Sequence, residues 1–210
     1  SIGWRIKITD IEYFVEPIFN IEFFRIKCCD FKNKKKAIIK VLKQYPEIPF
    51  ANFYSNKNKT QLSEPFTKIF RDEFKLIKAK YNSEITIYKT WSVSYKKGNY
   101  HIPHNHGATG YTGILYLDMN KKSPVTTYIR PWNNDKDKTV LFKPPVEEGD
   151  IMIVPRFLMH YTEPNKISFK KRVVSFDFKV NWKINHAKRR IYARGAQKFQ
   201  IHALISKRLL

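Results

Sequence analysis

The chain has 210 residues, 42% of them hydrophobic and 15% aromatic, which suffices for a buried core and excludes a disordered composition. No apolar run approaches the roughly 20 residues that a membrane-spanning helix needs. The 40 Lys and Arg against 18 Asp and Glu give a net charge of +22, which favours binding to polyanions such as nucleic acid or acidic small molecules. Lysines spread evenly over solvated faces would explain the same charge equally well.

The cysteine content indicates a reducing environment. Cys28 and Cys29 are the two cysteines and are adjacent, so the chain has no disulfide framework. Residues 1–5 lack the pattern of a secretory signal. We therefore expect an intracellular, cytoplasmic protein.

Residues 1–83 are predicted to form a β/α segment that packs on the rest of the chain. A β-like run over 5–9 is followed by a Lys-rich helix over 31–45, whose apolar residues recur at helical spacing. A second helix is predicted over 64–80, opened by Glu64 and Pro65. Its apolar stripe consists of Phe66, Ile69, Phe70, Phe74 and Ile77.

From residue 84 the period of the hydrophobic pattern changes to two, which predicts a β core over 84–181. The strand over 85–95 places these residues on one face: Ile85, Ile87, Trp91, Val93 and Tyr95. Further strands are predicted over 110–118, 125–129, 140–142, 151–154 and 172–180. Many short strands with regular turns favour a sandwich or barrel over alternating β and α units. Residues 182–210 carry no Asp or Glu and are predicted to be a basic, partly helical extension.

Three histidines have a spacing that suits a metal site. His104 and His106 are two residues apart, and alternate residues of a strand share a face with Cα atoms about 6–7 Å apart. His160 follows a strand and the Pro155 turn, where a loop can bring it back over the barrel mouth. Three protein ligands leave positions open for a co-substrate and oxygen. His101 is an alternative ligand, ranked below His106 because strand alternation points it away from His104.

Three groups of motifs follow one another between residues 84 and 181. The first runs Trp91…Gly98…His104-Asn105-His106…Gly113-Ile114-Leu115-Tyr116-Leu117, then Pro131-Trp132. The second runs Glu148-Gly149-Asp150-Ile151-Met152-Ile153-Val154-Pro155…His160…Glu163-Pro164-Asn165, and the third is Arg172-Val173-Val174-Ser175-Phe176. In order and spacing they resemble an uncharacterised branch of the iron(II)/2-oxoglutarate-dependent oxygenases.

The resemblance implies a mainly β fold, a double-stranded β-helix or jelly roll, flanked here by the N-terminal helices and the basic C-terminal extension. It also implies Fe(II) at His104, His106 and His160, with 2-oxoglutarate held partly by Arg172. The implied reaction uses O2 to hydroxylate a substrate, with release of succinate and CO2. Most of the superfamily has a carboxylate where this chain has His106. Three neutral ligands leave the site one charge more positive, so metal identity and reaction class stay open.

Arg172 and Tyr116 are the candidate residues for binding the oxo acid. Arg172 shares a strand face with Val174 and Phe176, and a guanidinium on an inward apolar face needs an anion such as the distal carboxylate of 2-oxoglutarate. An internal Asp or Glu partner, or an outward position at the strand start, are the alternatives. Tyr116 shares a face with Thr112 and Ile114, so it is expected to point inward and to hydrogen-bond the oxo acid.

Two other functions remain open on the sequence. A jelly roll without catalysis would use its basic surface to hold nucleic acid or a larger assembly. A three-histidine cupin-type dioxygenase would need no oxo acid. A zinc hydrolase fits less well, because no general-base Glu is evident near the ligands; Glu163 is the nearest candidate. The pattern predicts neither the prime substrate nor the oligomeric state.

Overall fold

The structure, a computed structural model, describes residues 4–8, 11–15, 21–56, 59–134 and 136–181, with the backbone alone for the first two ranges. The predicted extension over 182–210 lies outside these residues. The helices are α1 (Phe31–Leu42), α2 (Ser63–Ile69) and α3 (Arg71–Tyr81). The strands up to residue 95 are β1 (Trp4–Ile8), β2 (Ile11–Val15), β3 (Phe24–Lys27), β4 (Glu47–Pro49), β5 (Tyr54–Asn56) and β6 (Glu84–Tyr95). The later strands are β7 (His101–His104), β8 (Tyr111–Asp118), β9 (Thr126–Asn133), β10 (Thr139–Phe142), β11 (Asp150–Pro155), β12 (His160–Thr162) and β13 (Lys171–Asn181).

Two antiparallel sheets form the jelly roll, and β1 and β2 pair as a separate hairpin. The large sheet has the order β3-β11-β8-β13-β6-β5-β4, and the small sheet has the order β10-β9-β12-β7. Tyr128 of the small sheet packs with Tyr116 and Val173 of the large one, so the inner core lies between the two sheets. The mainly β fold predicted from the period-two pattern is therefore confirmed.

The N-terminal helices cover the outer face of the large sheet. The helix predicted over 31–45 forms as α1, whereas the one predicted over 64–80 is divided into α2 and α3 at Phe70. Their apolar residues bury Leu115, Val174 and Phe176 of the sheet beneath them. No helix in the described ranges is both long and apolar enough to cross a bilayer. The boundary predicted at residues 83 and 84 stays a prediction, although β3, β4 and β5 pair into the same sheet as β6.

Both faces of the large sheet are buried. A bulge in β6 reverses which face the odd-numbered side chains of this strand point to. Asp177 of β13 is opposite Lys89, but Phe178 is opposite Ile87, so Tyr88 is the extra residue. As a result Ile85 and Ile87 pack on the helix side, whereas Trp91, Val93 and Tyr95 face the inner core. The prediction that these five residues share a face is therefore wrong, because simple alternation takes no account of a bulge.

Gly113 of β8 is a position where the packing admits no side chain. A Cβ atom there would lie 2.0 Å from Cζ of Phe176, whose ring lies across the glycine. We expect Gly113→Ala to lower the free energy of unfolding by about 3 kcal/mol, because overpacking forces the ring out of its site. Urea denaturation measures this loss, and adding Phe176→Leu to Gly113→Ala should restore part of it. An unchanged midpoint for Gly113→Ala would contradict this packing.

Candidate active site

The structure brings the three predicted histidines together at one end of the inner core. His160 of β12 is the direct cross-strand partner of His104 at the end of β7. His106 lies beyond the end of β7 rather than on it, which corrects the strand-face argument, and the loop still turns its ring toward the others. The ring centroids are 4.4 Å apart for His104 and His160 and 5.1 Å apart for His106 and His160. One ligand nitrogen of each ring lies within 4.8 Å of the other two, an arrangement that suits a metal ion.

Each of these rings uses Nδ1 in a hydrogen bond to the protein. Nδ1 of His104 donates to the carbonyl oxygen of Ile102 at 2.8 Å, and Nδ1 of His160 donates to that of Leu158 at 2.9 Å. A carbonyl oxygen only accepts, so Nδ1 carries the proton and Nε2 keeps its lone pair. Burial lowers the pKa of His160 to about 3, with a further contribution from His104, and burial also lowers the pKa of His104. His104 and His160 are therefore neutral, the state in which imidazole binds metals.

Asp177 of β13 orients His106. Its Oδ1 accepts from Nδ1 of His106 at 2.9 Å and from the hydroxyl of Thr112 at 2.6 Å. Nε of Arg156 lies 3.5 Å from Oδ2 of the same carboxylate. A carboxylate behind a histidine fixes the ring and raises the basicity of Nε2, as behind many metal-ligating histidines. The site thus retains a carboxylate, but behind His106 and not among the three converging rings.

Arg156 holds the loop that follows His106. Its guanidinium donates to the carbonyl oxygen of His106 and, at 3.0 Å, to that of Thr109. Gly107 and Gly110 have φ values of +121° and +88°, and a Cβ atom on Gly110 would lie 2.7 Å from the carbonyl oxygen of Phe178. Only glycine adopts such a φ at this close approach without strain. The loop is therefore fixed from both sides, and with it the direction of His106.

His101 lies against the cluster, contrary to the prediction from strand alternation. The pairing of β7 with β12 sets His104 opposite His160 and His101 opposite Thr162, so β7 has one extra residue. This bulge turns the His101 ring onto His104, with 3.9 Å between the ring centroids. Nδ1 of His101 lies 3.4 Å from the hydroxyl of Tyr95. His101 therefore lies between the His104 ring and the hydroxyl of the buried Tyr95.

Lys171 is a charged side chain in the inner core without a polar partner. It is fully buried, and Nζ has no hydrogen-bond partner among the residues that the structure describes. Nζ lies 5.0 Å from the ring centroid of Tyr95 and 5.7 Å from that of Tyr116. Burial lowers the pKa of Lys171 to about 7. An isolated buried ammonium is costly, so this position suits an anionic ligand.

Arg172 lies on the other face of β13, and the structure does not bring it to the histidines. Its Nε is 3.8 Å from Oε1 of Glu47 and 3.7 Å from Oδ2 of Asp118. Burial works against the ionised form of Glu47, but hydrogen bonds from Ser94 and the charges of Lys170 and Arg172 hold the pKa of Glu47 below its usual range. The internal acidic partner, the alternative left open on the sequence, is what the structure contains, which corrects the inward placement of Arg172.

Tyr116 points inward, as predicted. Its side chain is fully buried, its hydroxyl lies near Thr126, and burial raises its pKa to about 12. Among the described residues the hydroxyl of Tyr128 has no hydrogen-bond partner, and its ring lies 5.6 Å from that of His160. The ammonium of Lys171 and the hydroxyl of Tyr128 are thus unpaired in the same core, where a small anion with several oxygens would satisfy both.

Comparison with known proteins identifies the type of fold and site. The sequence profile of the family described as "Putative 2OG-Fe(II) oxygenase" matches residues 89–177. That range contains the three histidines, Lys171 and Asp177. Over these residues the chain is similar in sequence to the iron(II)/2-oxoglutarate oxygenases. No curated protein matches the chain in sequence.

Solved structures of such oxygenases share the double-stranded β-helix fold of this chain. An oxidoreductase of the 2OG-Fe(II) oxygenase family from Burkholderia pseudomallei is similar, with a TM-score of 0.58 at 10% identity over 75% of this chain and 84% of its own. HygX from Streptomyces hygroscopicus, with nickel, 2-oxoglutarate and hygromycin B bound, has a TM-score of 0.59 at 12% identity. The match covers 76% of this chain and 83% of HygX. The viral collagen prolyl hydroxylase of Paramecium Bursaria Chlorella virus-1, in complex with 2OG, has a TM-score of 0.52 at 16% identity. The match covers 74% of this chain and 94% of the hydroxylase. At these identities the likeness establishes the fold.

Three residues at the oxygenase site were not found by reading the sequence. Lys171, Asp177 and Arg156 belong to no recognisable motif in the sequence. One signal is present: Ser175, Asp177 and Lys179 make one face of β13 polar, which is unusual for a strand at the centre of a sheet. That polar face points to Asp177 as a candidate site residue.

The contact of Asp177 with His106 predicts how strongly the site binds a metal. Asp177→Asn keeps the shape but removes the charge that holds the Nδ1 proton, so we expect metal affinity to fall about 10-fold to 100-fold. Competition with a chromophoric chelator for Ni(II) measures this. Thr112→Val is the matched control, since it keeps the carboxylate and should cost less. Wild-type affinity in a folded Asp177→Asn protein would contradict this role of Asp177.

Proposed function

We propose that this chain is a non-haem Fe(II)- and 2-oxoglutarate-dependent dioxygenase that hydroxylates a C–H bond of a prime substrate. The observation that carries the proposal is the combination of three convergent histidines with a buried lysine that has no partner among the described residues, between the same two sheets. A metal accounts for the first and an acidic co-substrate for the second. Similarity to the superfamily over residues 89–177 supports both assignments.

His104, His106 and His160 would hold the iron through Nε2. When bound, the iron supplies the redox chemistry in which 2-oxoglutarate, O2 and a C–H substrate yield succinate, CO2 and the alcohol. The donor set fits, because each Nδ1 is engaged by the protein and each Nε2 is free. Three neutral ligands suit an iron that also binds an anionic co-substrate, since they leave its two positive charges uncompensated.

Lys171 would bind the distal carboxylate of 2-oxoglutarate, the role expected of Arg172 from the sequence. It lies on the face of β13 that also carries Asp177, which contacts His106. Tyr95 and His101 connect it to His104, since the hydroxyl of Tyr95 lies 3.4 Å from Nδ1 of His101 and His101 stacks on His104. The buried hydroxyls of Tyr116 and Tyr128 would donate to the co-substrate.

The other residues position the reactants and exclude water. Asp177 and Arg156 fix the His106 ring and its loop, and Trp91 packs against His106 with 5.2 Å between ring centroids. Val173, Val93 and Met152 line the inner core and keep it apolar. A dry pocket strengthens the attraction between Lys171 and a carboxylate.

The cupin-type dioxygenase without an oxo acid is the weaker alternative. Such an enzyme has no use for Lys171, which would then be a buried ammonium without compensation. Nucleic-acid binding rests on net charge alone, and it stays a prediction.

Succinate release tests the proposal, with neighbouring residues of β13 as a matched pair. We expect the protein with Fe(II), ascorbate and 2-oxoglutarate to release succinate, slowly without a prime substrate. Lys171→Ala should raise the Kd for 2-oxoglutarate at least about 100-fold, because a buried charged contact is lost. Arg172→Ala should leave that Kd within about threefold, since Arg172 faces Glu47. A metal-loaded protein that binds no 2-oxoglutarate, or the reverse order of the two variants, would contradict the proposal.

The lowered pKa of Lys171 predicts a pH dependence of co-substrate binding. The ammonium form binds the carboxylate, so affinity is full below the pKa of about 7 and falls as pH rises through it. We expect the Kd for 2-oxoglutarate, measured calorimetrically on Ni(II)-saturated protein, to rise about fivefold from pH 7 to pH 8. Lys171→Arg stays charged and should remove this dependence. The same slope in that variant would assign the titration to another group.

A further inference from the structure

Cations predominate in the segments around the histidine cluster. Lys59 lies over Trp91, which packs on His106, and Arg156 lies beside Asp177. Lys179 lies over the Tyr88 ring next to Arg156, and Lys89 is opposite Asp177 across β6 and β13. Among the described residues, the carboxylate that hydrogen-bonds a histidine of the cluster is that of Asp177. Asp177 is buried and already paired with His106, Thr112 and Arg156. The entrance to the site is therefore positive even before a metal dication is added.

Lys59 is the cation at this rim that stands directly over the site. Its Nζ lies 5.1 Å from the ring centroid of Trp91, and that ring packs on His106 at 5.2 Å. Trp91 is only 8% exposed, so the lysine covers an otherwise buried ring. Within the described residues, exposed Lys59 makes no ion pair. An ammonium held over an aromatic face keeps its other side free for an anion.

Several lysines elsewhere on the protein differ from Lys59 in having acidic partners. Nζ of Lys34 lies 2.7 Å from Glu73, and Nζ of Lys143 lies 2.6 Å from Glu163. Lys170 pairs with Glu47 at 3.0 Å. Lys171 is also unpaired, but it is fully buried and is already assigned to the co-substrate. Lys171 and Lys59 thus lie at different depths, one inside the core and one over the Trp91 ring beside His106.

We propose that Lys59 binds a phosphate or carboxylate group of the prime substrate, so that the enzyme acts on an acidic substrate. This inference rests on the proposed function, since it concerns the second substrate of the same site. Lys59 would fix the anionic group at the rim, and Trp91 would offer its edge to the adjoining carbon atoms. The substrate then presents its C–H bond toward His106 and its charge toward solvent, where Lys89 and Lys179 add to the attraction.

A packing role for Lys59 is the competing explanation, and matched variants separate the two. If Lys59 serves only to cover Trp91 with its methylene groups, Lys59→Gln and Lys59→Arg should behave alike. If it binds an anion, Lys59→Gln should lose binding and Lys59→Arg should keep it. Lys122→Gln is the control, because Lys122 is also exposed but lies beyond the opposite end of β8 from Thr112.

The test follows anion binding in Ni(II)-loaded protein with 2-oxoglutarate present, which needs no turnover. The probes are inorganic phosphate and acetate, titrated against the indole N–H resonance of Trp91, which Trp91→Phe assigns among the four tryptophans. We expect saturable shifts that 0.5 M KCl weakens by screening. Lys59→Gln should raise the Kd about tenfold, whereas Lys59→Arg and Lys122→Gln should keep it within about twofold.

Tighter binding of phosphate than of acetate would point to a phosphorylated substrate, and the reverse order to a carboxylate; both support the proposal. No shift of the Trp91 resonance with either anion, or equal affinity in wild type and Lys59→Gln, would overturn it. Failure of the protein to bind Ni(II) or 2-oxoglutarate would overturn the proposed function instead. Repeating the anion titration on metal-free protein keeps the two outcomes distinct.

Discussion

The position of β13 at the centre of the large sheet, with both faces buried, is the constraint on which the site depends. One face meets the helices, and the other meets the small sheet. Side chains alternate along a strand, so neighbouring residues of β13 enter different environments. Lys171 and Asp177 belong to the inner face, and Arg172 and Phe176 belong to the helix side. A shift of one residue would exchange the two sets and leave the histidines without their carboxylate.

The electrostatics of the site follow from this alternation. His104 and His160 are neutral, and the carboxylate of Asp177 contacts Nδ1 of His106 and not the point where the rings converge. Arg156 balances that carboxylate and anchors the His106 loop. Lys171 in the core and Lys59 over Trp91 then supply positive charge on either side of the histidines. Such an arrangement suits a reaction whose co-substrate is a dianion, because both of its carboxylates meet positive charge.

Sequence reasoning succeeded where the signal was local and failed where it required knowledge of distant contacts. Period-two patterns located the strands, and spacing with family motifs selected His104, His106 and His160. The bulges at Tyr88 and in β7 have no sequence signature that alternation detects, so the faces of Ile87 and His101 were misassigned. The break at Phe70 lies inside a continuous apolar stripe, which periodicity reads as one helix.

The sequence by itself determined the mainly β architecture, the superfamily motifs and the three histidines, since each is written in short-range spacing. Only the tertiary structure showed that Lys171 faces the inner core while Arg172 faces Glu47, and that Asp177 contacts His106. Alternation states that two adjacent residues point in opposite directions, but it does not say which direction meets the site. The direction is set by what packs on each face of the large sheet. The helices α1, α2 and α3 cover one face, and the small sheet, which carries His104 and His160, covers the other.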